Sequence, residues 1–274
     1  MKNESTRPAL RDLVIALKGG GDLATGVALR LFRSGFTRLF IMEAHTPTVL
    51  RRKVAFASAV FQTVVKVEGV EAVRLKEAHD IQKVWNQGKI PVLTDPEWKS
   101  LGIMPPHVLV DAVIAKKNLG TQITDARLVI GLGPGFSAGE DVHMVIETQR
   151  GHHLGRLIKQ GFAAANTSRP EAVLGVTTDR LLRAPCAGIF SGSAAIGDAV
   201  IPGQVLGHVN GCPVTAQIGG ILRGLVHDGV NVAQNRKLGD VDPRGEADYC
   251  HMASDKARAL GGAVLEAILG RFNK

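Results

Sequence analysis

Residues 13–33, LVIALKGGGDLATGVALRLFR, pass from an unbroken apolar run through three glycines into a stretch whose apolar residues Leu23, Val27 and Leu31 recur every fourth position. The first part reads as a buried strand, Leu13 to Leu17, and the last as a helix, Leu23 to Arg33. A second strand follows at Leu39 to Met42. Thr46 before Pro47 predicts an N-cap and a helix to about Phe61 that carries Arg51, Arg52 and Lys53. Apolar runs at Ala72 to Leu75, Ile90 to Leu93, Val108 to Ile114 and Leu128 to Leu132 then alternate with helical or loop segments such as Ala78 to Asn86. This alternation predicts an α/β unit with a Rossmann-like, mostly parallel sheet over residues 1–170.

The texture changes after Pro170. Residues 181–244 are rich in glycine and in short β-like runs, with nothing long enough for a helix. Shifting the chain by 32 positions superposes nine identical residues over 184–209, among them Gly188 on Gly220, Gly197 on Gly229, Gly207 on Gly239 and Val209 on Val241. Two similar half-units, joined at an Asn210-Gly211 hairpin turn, predict a lipoyl/biotinyl-like barrel-sandwich β domain over 171–250. The hairpin segment HVNGCPV has no lysine, so lipoylation and biotinylation are not expected. An amphipathic helix, about Ser254 to Leu269, is expected to pack back from the last stretch, 251–274.

Aromatic residues are only 4% of the chain against 32 glycines, so the core must rest on Val, Ile, Leu and Ala. The net charge of +8 favours a small anionic ligand or an acidic partner. Base-stacking aromatics and zinc-finger spacings are scarce, which argues against nucleic acid. The polar start MKNESTRPALRD is followed by only a short apolar run, so a cytoplasmic protein without a membrane anchor is expected. Cys186, Cys212 and Cys250 are widely spaced and form no CxxC pair, in keeping with a reducing compartment.

Gly19, Gly21 and Ala24 fit G-x-G-x-x-A at a strand-to-helix junction, and Glu43 ends the second strand 22 residues after Gly21. In a dinucleotide fold such glycines, with Gly20 between them, let backbone N–H groups approach phosphate while an acidic residue holds ribose hydroxyls. Asp22 sits where its charge would repel phosphate, or else caps the helix. A second glycine loop, GLGPGFSAGED, offers Gly133, Gly135 and Ser137 as an opposing wall of the same crevice. A strand from Val142 to Thr148 would put His143 and Glu147 on one face, with Arg150, His152 and Arg156 beyond its end. An anion clamp or domain hinge is preferred there over a structural hydrogen-bond network, and a metal site is not assigned. Cys212 is a candidate sulfur or selenium carrier, against the plainer reading of an incidental thiol. The loop GDVDPR, 239–244, is either a turn with an internal ion pair or a contact with the first domain. A Walker loop, an HExxH helix and a nucleophile elbow are all missing.

The motifs KGGGDLATGVALRL, GLGPGFSAGEDVHMVIETQRGHHLGR, LLRAPCAGIF, IGDAVIPGQVLGHV and ILRGLVHDGVNVAQNRKLGDVDPR, in that order, resemble those of selenium-dependent molybdenum hydroxylase system proteins. The resemblance implies an accessory protein for cofactor maturation, whose partners are a molybdenum hydroxylase or its maturation factors and whose ligand is a nucleotide or a molybdopterin dinucleotide. It supplies no catalytic residue. The alternatives are an NAD(P)-dependent oxidoreductase, motivated by Gly19, Gly21, Ala24 and Glu43, and a non-enzymatic docking adaptor.

Overall fold

Nine strands form the first sheet: β1 (Ile15–Lys18), β2 (Leu39–Glu43), β3 (Val64–Val67), β4 (Val70–Leu75), β5 (Ile90–Thr94), β6 (Val108–Asp111), β7 (Leu128–Leu132), β8 (Met144–Ile146) and β9 (Leu157–Ile158). The computed structural model describes residues 8–166 and 172–273; the first seven residues of the polar start and the expected domain boundary at 170/171 lie outside them. The strand order is β3-β4-β5-β2-β1-β6-β7-β8-β9. The central strands run parallel, while β3 is antiparallel to β4 and β9 is antiparallel to β8. Every residue of β1, β6 and β7 is buried, which is why these strands read as continuous apolar runs instead of alternating ones.

Five helices accompany the sheet: α1 (Asp22–Arg33), α2 (Ala59–Gln62), α3 (Ile81–Trp85), α4 (Ser100–Ile103) and α5 (Asp255–Phe272). Among the described residues only α1 is a full crossover helix between parallel strands. One face of the sheet packs Ile15, Leu17, Ile41 and Val110 against α1 and against α5, which returns from the far end of the chain. The opposite face is covered by short pieces, with Ile81, Trp85, Phe136 and Val142 lying against Ala16, Phe40, Leu109 and Val129.

The crossing of α1 and α5 depends on glycine. A Cβ at Gly26 would lie 2.6 Å from the Ala257 Cβ and 2.7 Å from its carbonyl oxygen, whereas one at Gly262 would meet open space. Gly26→Val is therefore expected to destabilise the fold by about 2 kcal/mol through overpacking. Gly262→Ala should stabilise it by about 0.5–1 kcal/mol through helix propensity. Thermal denaturation checks both, and two shifts of the same sign would contradict this crossing.

The second unit holds β10 (Leu181–Arg183), β11 (Gly188–Gly192), β12 (Ala199–Val200), β13 (Val205–Val209), β14 (Cys212–Thr215), β15 (Gly220–Leu225), β16 (Asn231–Val232) and β17 (Lys237–Asp242). They make two antiparallel sheets, β10-β17-β15-β12 and β14-β13-β11-β16. The 32-residue repeat maps one sheet onto the other strand for strand: β10 onto β14, β11 onto β15, β12 onto β16 and β13 onto β17. Each half lends its short strand, β12 or β16, to the partner half's sheet. The sheets enclose Phe190, Leu206, Leu222, Leu225 and Leu238.

The expected pairing of a Rossmann-like, helix-packed parallel sheet with a lipoyl/biotinyl-like barrel-sandwich is thus corrected. A large mixed sheet with antiparallel strands at both edges stands beside two four-stranded antiparallel sheets. Apolar runs mark strands without showing their direction, and most of the connecting segments hold only short helical pieces such as α3 and α4 instead of full crossover helices. The helix expected from Thr46 to Phe61 is also absent. In its place are irregular chain, 3-10 turns at Arg52–Val54 and Phe56–Ser58, and the short α2. Tertiary contacts override the capping signal here. Val54, Phe56 and Ala59 enter the core of the first unit, while Leu50 packs on the second, where its carbonyl accepts the Leu225 N–H at 2.8 Å. The expected strand from Val142 to Thr148 is shortened to Met144–Ile146. Among the described residues no helix is long and apolar enough to cross a membrane.

Candidate functional site

The first glycine loop is closed largely by the protein's own groups. Gly19, at φ +83°, donates its N–H to the Met42 carbonyl at 2.8 Å, and its missing side chain admits the Val113 backbone. The Gly20 N–H is held by Glu43 Oε2 at 2.7 Å, and Glu43 Oε1 accepts from Ala44 at 2.8 Å. Burial pushes the Glu43 pKa up, against the pull of these two N–H donors. A Cβ at Gly20 would lie 2.9 Å from the Ala57 nitrogen, so this glycine admits the connecting segment. Gly21 precedes α1 and, with Asp22, Ala24 and Glu43, lines a cleft of about 390 Å³ at the helix start. Asp22 makes no capping hydrogen bond; its carboxylate pairs with Arg51 at 3.5 Å.

The second loop is likewise folded on itself. Gly133 (φ +79°) leaves room for the Thr148 hydroxyl, and Gly135 (φ +111°) for the Lys117 backbone. The Ser137 N–H donates to Asp141 at 2.8 Å. Glu147 is buried and accepts the N–H groups of Gln149 and Ala164, both at 2.7 Å, while His143 Nδ1 accepts the Val129 N–H at 3.0 Å. His152 and Arg156 are exposed and line neither the cleft at the start of α1 nor the cavities beside Arg150. Of the downstream group, only Arg150 reaches the crevice between the two units.

That crevice is strongly cationic. A cavity of about 350 Å³ is lined by Lys116, Arg150, Arg180, Lys237 and Lys256, beside Pro134 of the second glycine loop. Through Arg150 and Arg180 it continues into a cavity of about 530 Å³ lined by Arg51, Arg223, Arg244 and Arg258, with Asp255 as the carboxylate on its wall. Through Ile114 it meets the cleft at the start of α1. The crevice therefore lies along the carboxyl ends of the parallel strands, where the loops after β1, β6 and β7 converge.

β17 organises the cations from below. Asp240 and Asp242 are both only 1% exposed. Asp240 accepts from Arg180 at 3.0 Å and from Arg223 Nε at 3.1 Å; Asp242 accepts from Arg223 at 3.2 Å and from Arg244 Nε at 2.9 Å. Gly224 lies opposite Asp240 on β15 and gives its carboxylate room. Burial lowers the Arg180 pKa, and Asp240 opposes that shift. Burial works to raise the Asp242 pKa, but hydrogen bonds from Arg244 hold it below the usual carboxylate range. The GDVDPR loop is thus more than a turn with an internal ion pair. At the crevice mouth Arg150 binds Asp255, with one contact at 2.8 Å, and this holds the Asp255 pKa down to about 2.

Lys237 differs from these neighbours. Among the described residues its ammonium has no hydrogen bond or ion pair. It is half-buried, and burial together with Arg180 and Arg223 lowers its pKa, with Asp240 and Asp22 acting the other way. An anion entering the crevice would meet a cation that, among the described residues, no carboxylate contacts as an ion pair. The sequence reading missed Arg180, Arg223 and Lys237 as site residues. The clue available to it was the GDVD run, where alternation puts Asp240 and Asp242 on one face of a strand and so calls for cations from neighbouring segments. Among the described residues no three His, Cys, Asp or Glu side chains converge as metal ligands.

No family model matches the chain. It is 45% identical over 264 residues to the uncharacterized protein YqeB of Escherichia coli (strain K12), across 96% of this chain and 48% of that protein. The chain spans about half the length of this curated relative. Solved structures with likeness include an aspartoacylase family protein from Mesorhizobium loti, at 12% identity over 84% of this chain and 85% of that one, TM-score 0.27. Another is a succinylglutamate desuccinylase/aspartoacylase from Rhodobacter sphaeroides, at 21% identity over 23% of this chain and 22% of that one, TM-score 0.21. At TM-scores this low these likenesses carry no argument about fold or activity.

Proposed function

We propose that the chain is an accessory protein for maturation of a selenium-dependent molybdenum hydroxylase, and that it holds a phosphate-bearing ligand of the nucleotide or pterin type in the cationic crevice. The observation that carries this reading is the convergence of Arg150, Arg180 and Lys237 on one cavity, where among the described residues no carboxylate is in ion-pair contact with the Lys237 ammonium. Guanidinium groups match phosphate oxygens bidentately, and Asp240 and Asp242 aim two of them before any ligand arrives. The residues present fit the phosphate part of such a ligand, which Arg150, Arg180 and Lys237 would hold. The resemblance of the KLGDVDPR and GLGPGFSAGED motifs to the molybdenum hydroxylase system proteins supports the choice of ligand class. The oxidoreductase reading is weaker, because both Glu43 oxygens accept backbone N–H groups where a ribose would need them.

Calorimetric titration with pyrophosphate, CDP and NAD tests the proposal. Saturable binding of at least one phosphate probe is expected. Lys237→Ala should weaken it about tenfold, roughly 1.4 kcal/mol for a charge-assisted contact, with the melting temperature of the free protein unchanged. Equal affinity in wild type and variant, or no binding by any probe, would overturn the reading.

A further inference from the structure

Cys186 and Cys212 stand 26 residues apart in the chain, yet their sulfurs are 2.7 Å apart in the fold. Cys212 begins β14, directly after the Asn210-Gly211 turn, and Cys186 lies between β10 and β11. Both are half-buried free thiols. The fold holds them together through the hairpin. Asn210 Oδ1 accepts the Ile189 N–H at 3.1 Å, and the Asn210 amide fills the space where a Cβ of Gly188 would sit. Cys186 Sγ also lies 3.0 Å from the Val209 carbonyl, at the other side of the same turn. Two thiols so placed on neighbouring segments are within reach of a bond of about 2.05 Å.

We propose that Cys186 and Cys212 form a dithiol site that exchanges two electrons with a small-molecule disulfide and closes to an intramolecular disulfide. The Cys186 thiol donates toward Cys212, and this hydrogen bond pushes its own pKa up. Cys212, which accepts that hydrogen bond and opens β14 at the turn, is the attacking sulfur, and Cys186, held also at the Val209 carbonyl, is the resolving one. In the first step the Cys212 thiolate attacks one sulfur of the small disulfide. The S–S bond breaks, and one small thiolate leaves with an electron pair. In the second step the Cys186 thiolate attacks the Cys212 sulfur of the mixed disulfide and expels the second small thiolate. The protein is oxidised by two electrons, the small disulfide is reduced to two thiols, and the two protons lost by the cysteines end on those thiols. Cys250 takes no part, since it is buried beneath β15 with its sulfur 3.8 Å from the Leu222 carbonyl.

The test is thiol titration of the reduced full chain after equilibration with oxidised glutathione, read on the denatured protein. The three free cysteines should fall to one titratable thiol, with an intact mass lower by two hydrogens and a peptide joining residues 186 and 212. Cys186→Ser should stop at a glutathione adduct on Cys212, because the resolving sulfur is gone. Cys250→Ala should still close the bridge. Three thiols surviving in the wild type, or separate glutathione adducts on both cysteines, would overturn the proposal.

Discussion

Asp240→Asn is expected to cost about 3–5 kcal/mol of folding stability, the size of effect seen when one partner of a buried ion pair is removed. Asp240 is 1% exposed and Arg180 is 7% exposed, so neither charge can turn to water when the other is lost. The asparagine keeps the shape of the carboxylate but withdraws its charge from Arg180 and Arg223, the second of which still has Asp242 at 3.2 Å. Chemical denaturation of the free protein measures the loss. The double variant Asp240→Asn/Arg180→Gln should recover part of it, because it also removes the buried cation that Asp240 faced. Both variants should also weaken phosphate-probe binding, since Asp240 positions Arg180 at the crevice. A single variant as stable as wild type would mean that the network contributes nothing to the fold, and the crevice cations would then lack their scaffold.

Between pH 6.5 and about 4, His227 alone should remove about 3 kcal/mol of stability. The folded protein holds its imidazole neutral, with a pKa pushed down to about 4 by burial and by Arg52, against a weaker pull from Asp228. Arg52 donates to His227 Nδ1 at 3.3 Å, and Phe61 stacks on the ring with centroids 4.0 Å apart. The unfolded chain takes up the proton near pH 6.5, so in this window it binds more protons than the folded state. Stability is therefore fully present above pH 6.5 and is lost as pH falls through about 4, at about 1.4 kcal/mol per unit of displacement. His227→Phe should flatten the acid limb of a stability–pH curve by that amount. A residual fall is expected in the variant, because His107 and His143 also accept backbone N–H groups as neutral rings and have pKa values lowered by burial. Superimposable acid limbs in wild type and variant would contradict this assignment. Since Arg52 belongs to the first unit and His227 to the second, the same titration reports on the seam between them.

Local pattern was enough for the elements with strong periodicity. The strand at residues 15–18, the helix at 22–33 and the strands around 90–94, 108–111 and 128–132 were all readable from apolar runs and spacing. So was the 32-residue repeat, which survives as the strand-for-strand correspondence of the two antiparallel sheets. The Asn210-Gly211 turn was readable for the same reason, since both residues take the positive φ that a two-residue hairpin requires, +44° and +83°. The glycine loops were readable as loops, but their chemistry was not. Whether the Gly20 N–H is free or is held by Glu43 depends on where the end of the neighbouring strand comes to rest.

The amino-acid sequence by itself determined where strands, turns and the long helices lie, because those follow from side-chain period and backbone preference within a few residues. Only the tertiary structure decided strand direction at the sheet edges, the return of α5 onto Gly26, the unwinding of residues 46–58 and the meeting of Cys186 with Cys212. The cationic crevice belongs to the same class. Arg180 and Arg223 are drawn to buried Asp240 and Asp242 of β17, Arg150 is held by Asp255 at the start of α5, and Lys237 arrives on β17 itself, because Coulombic attraction acts across space without regard to sequence separation.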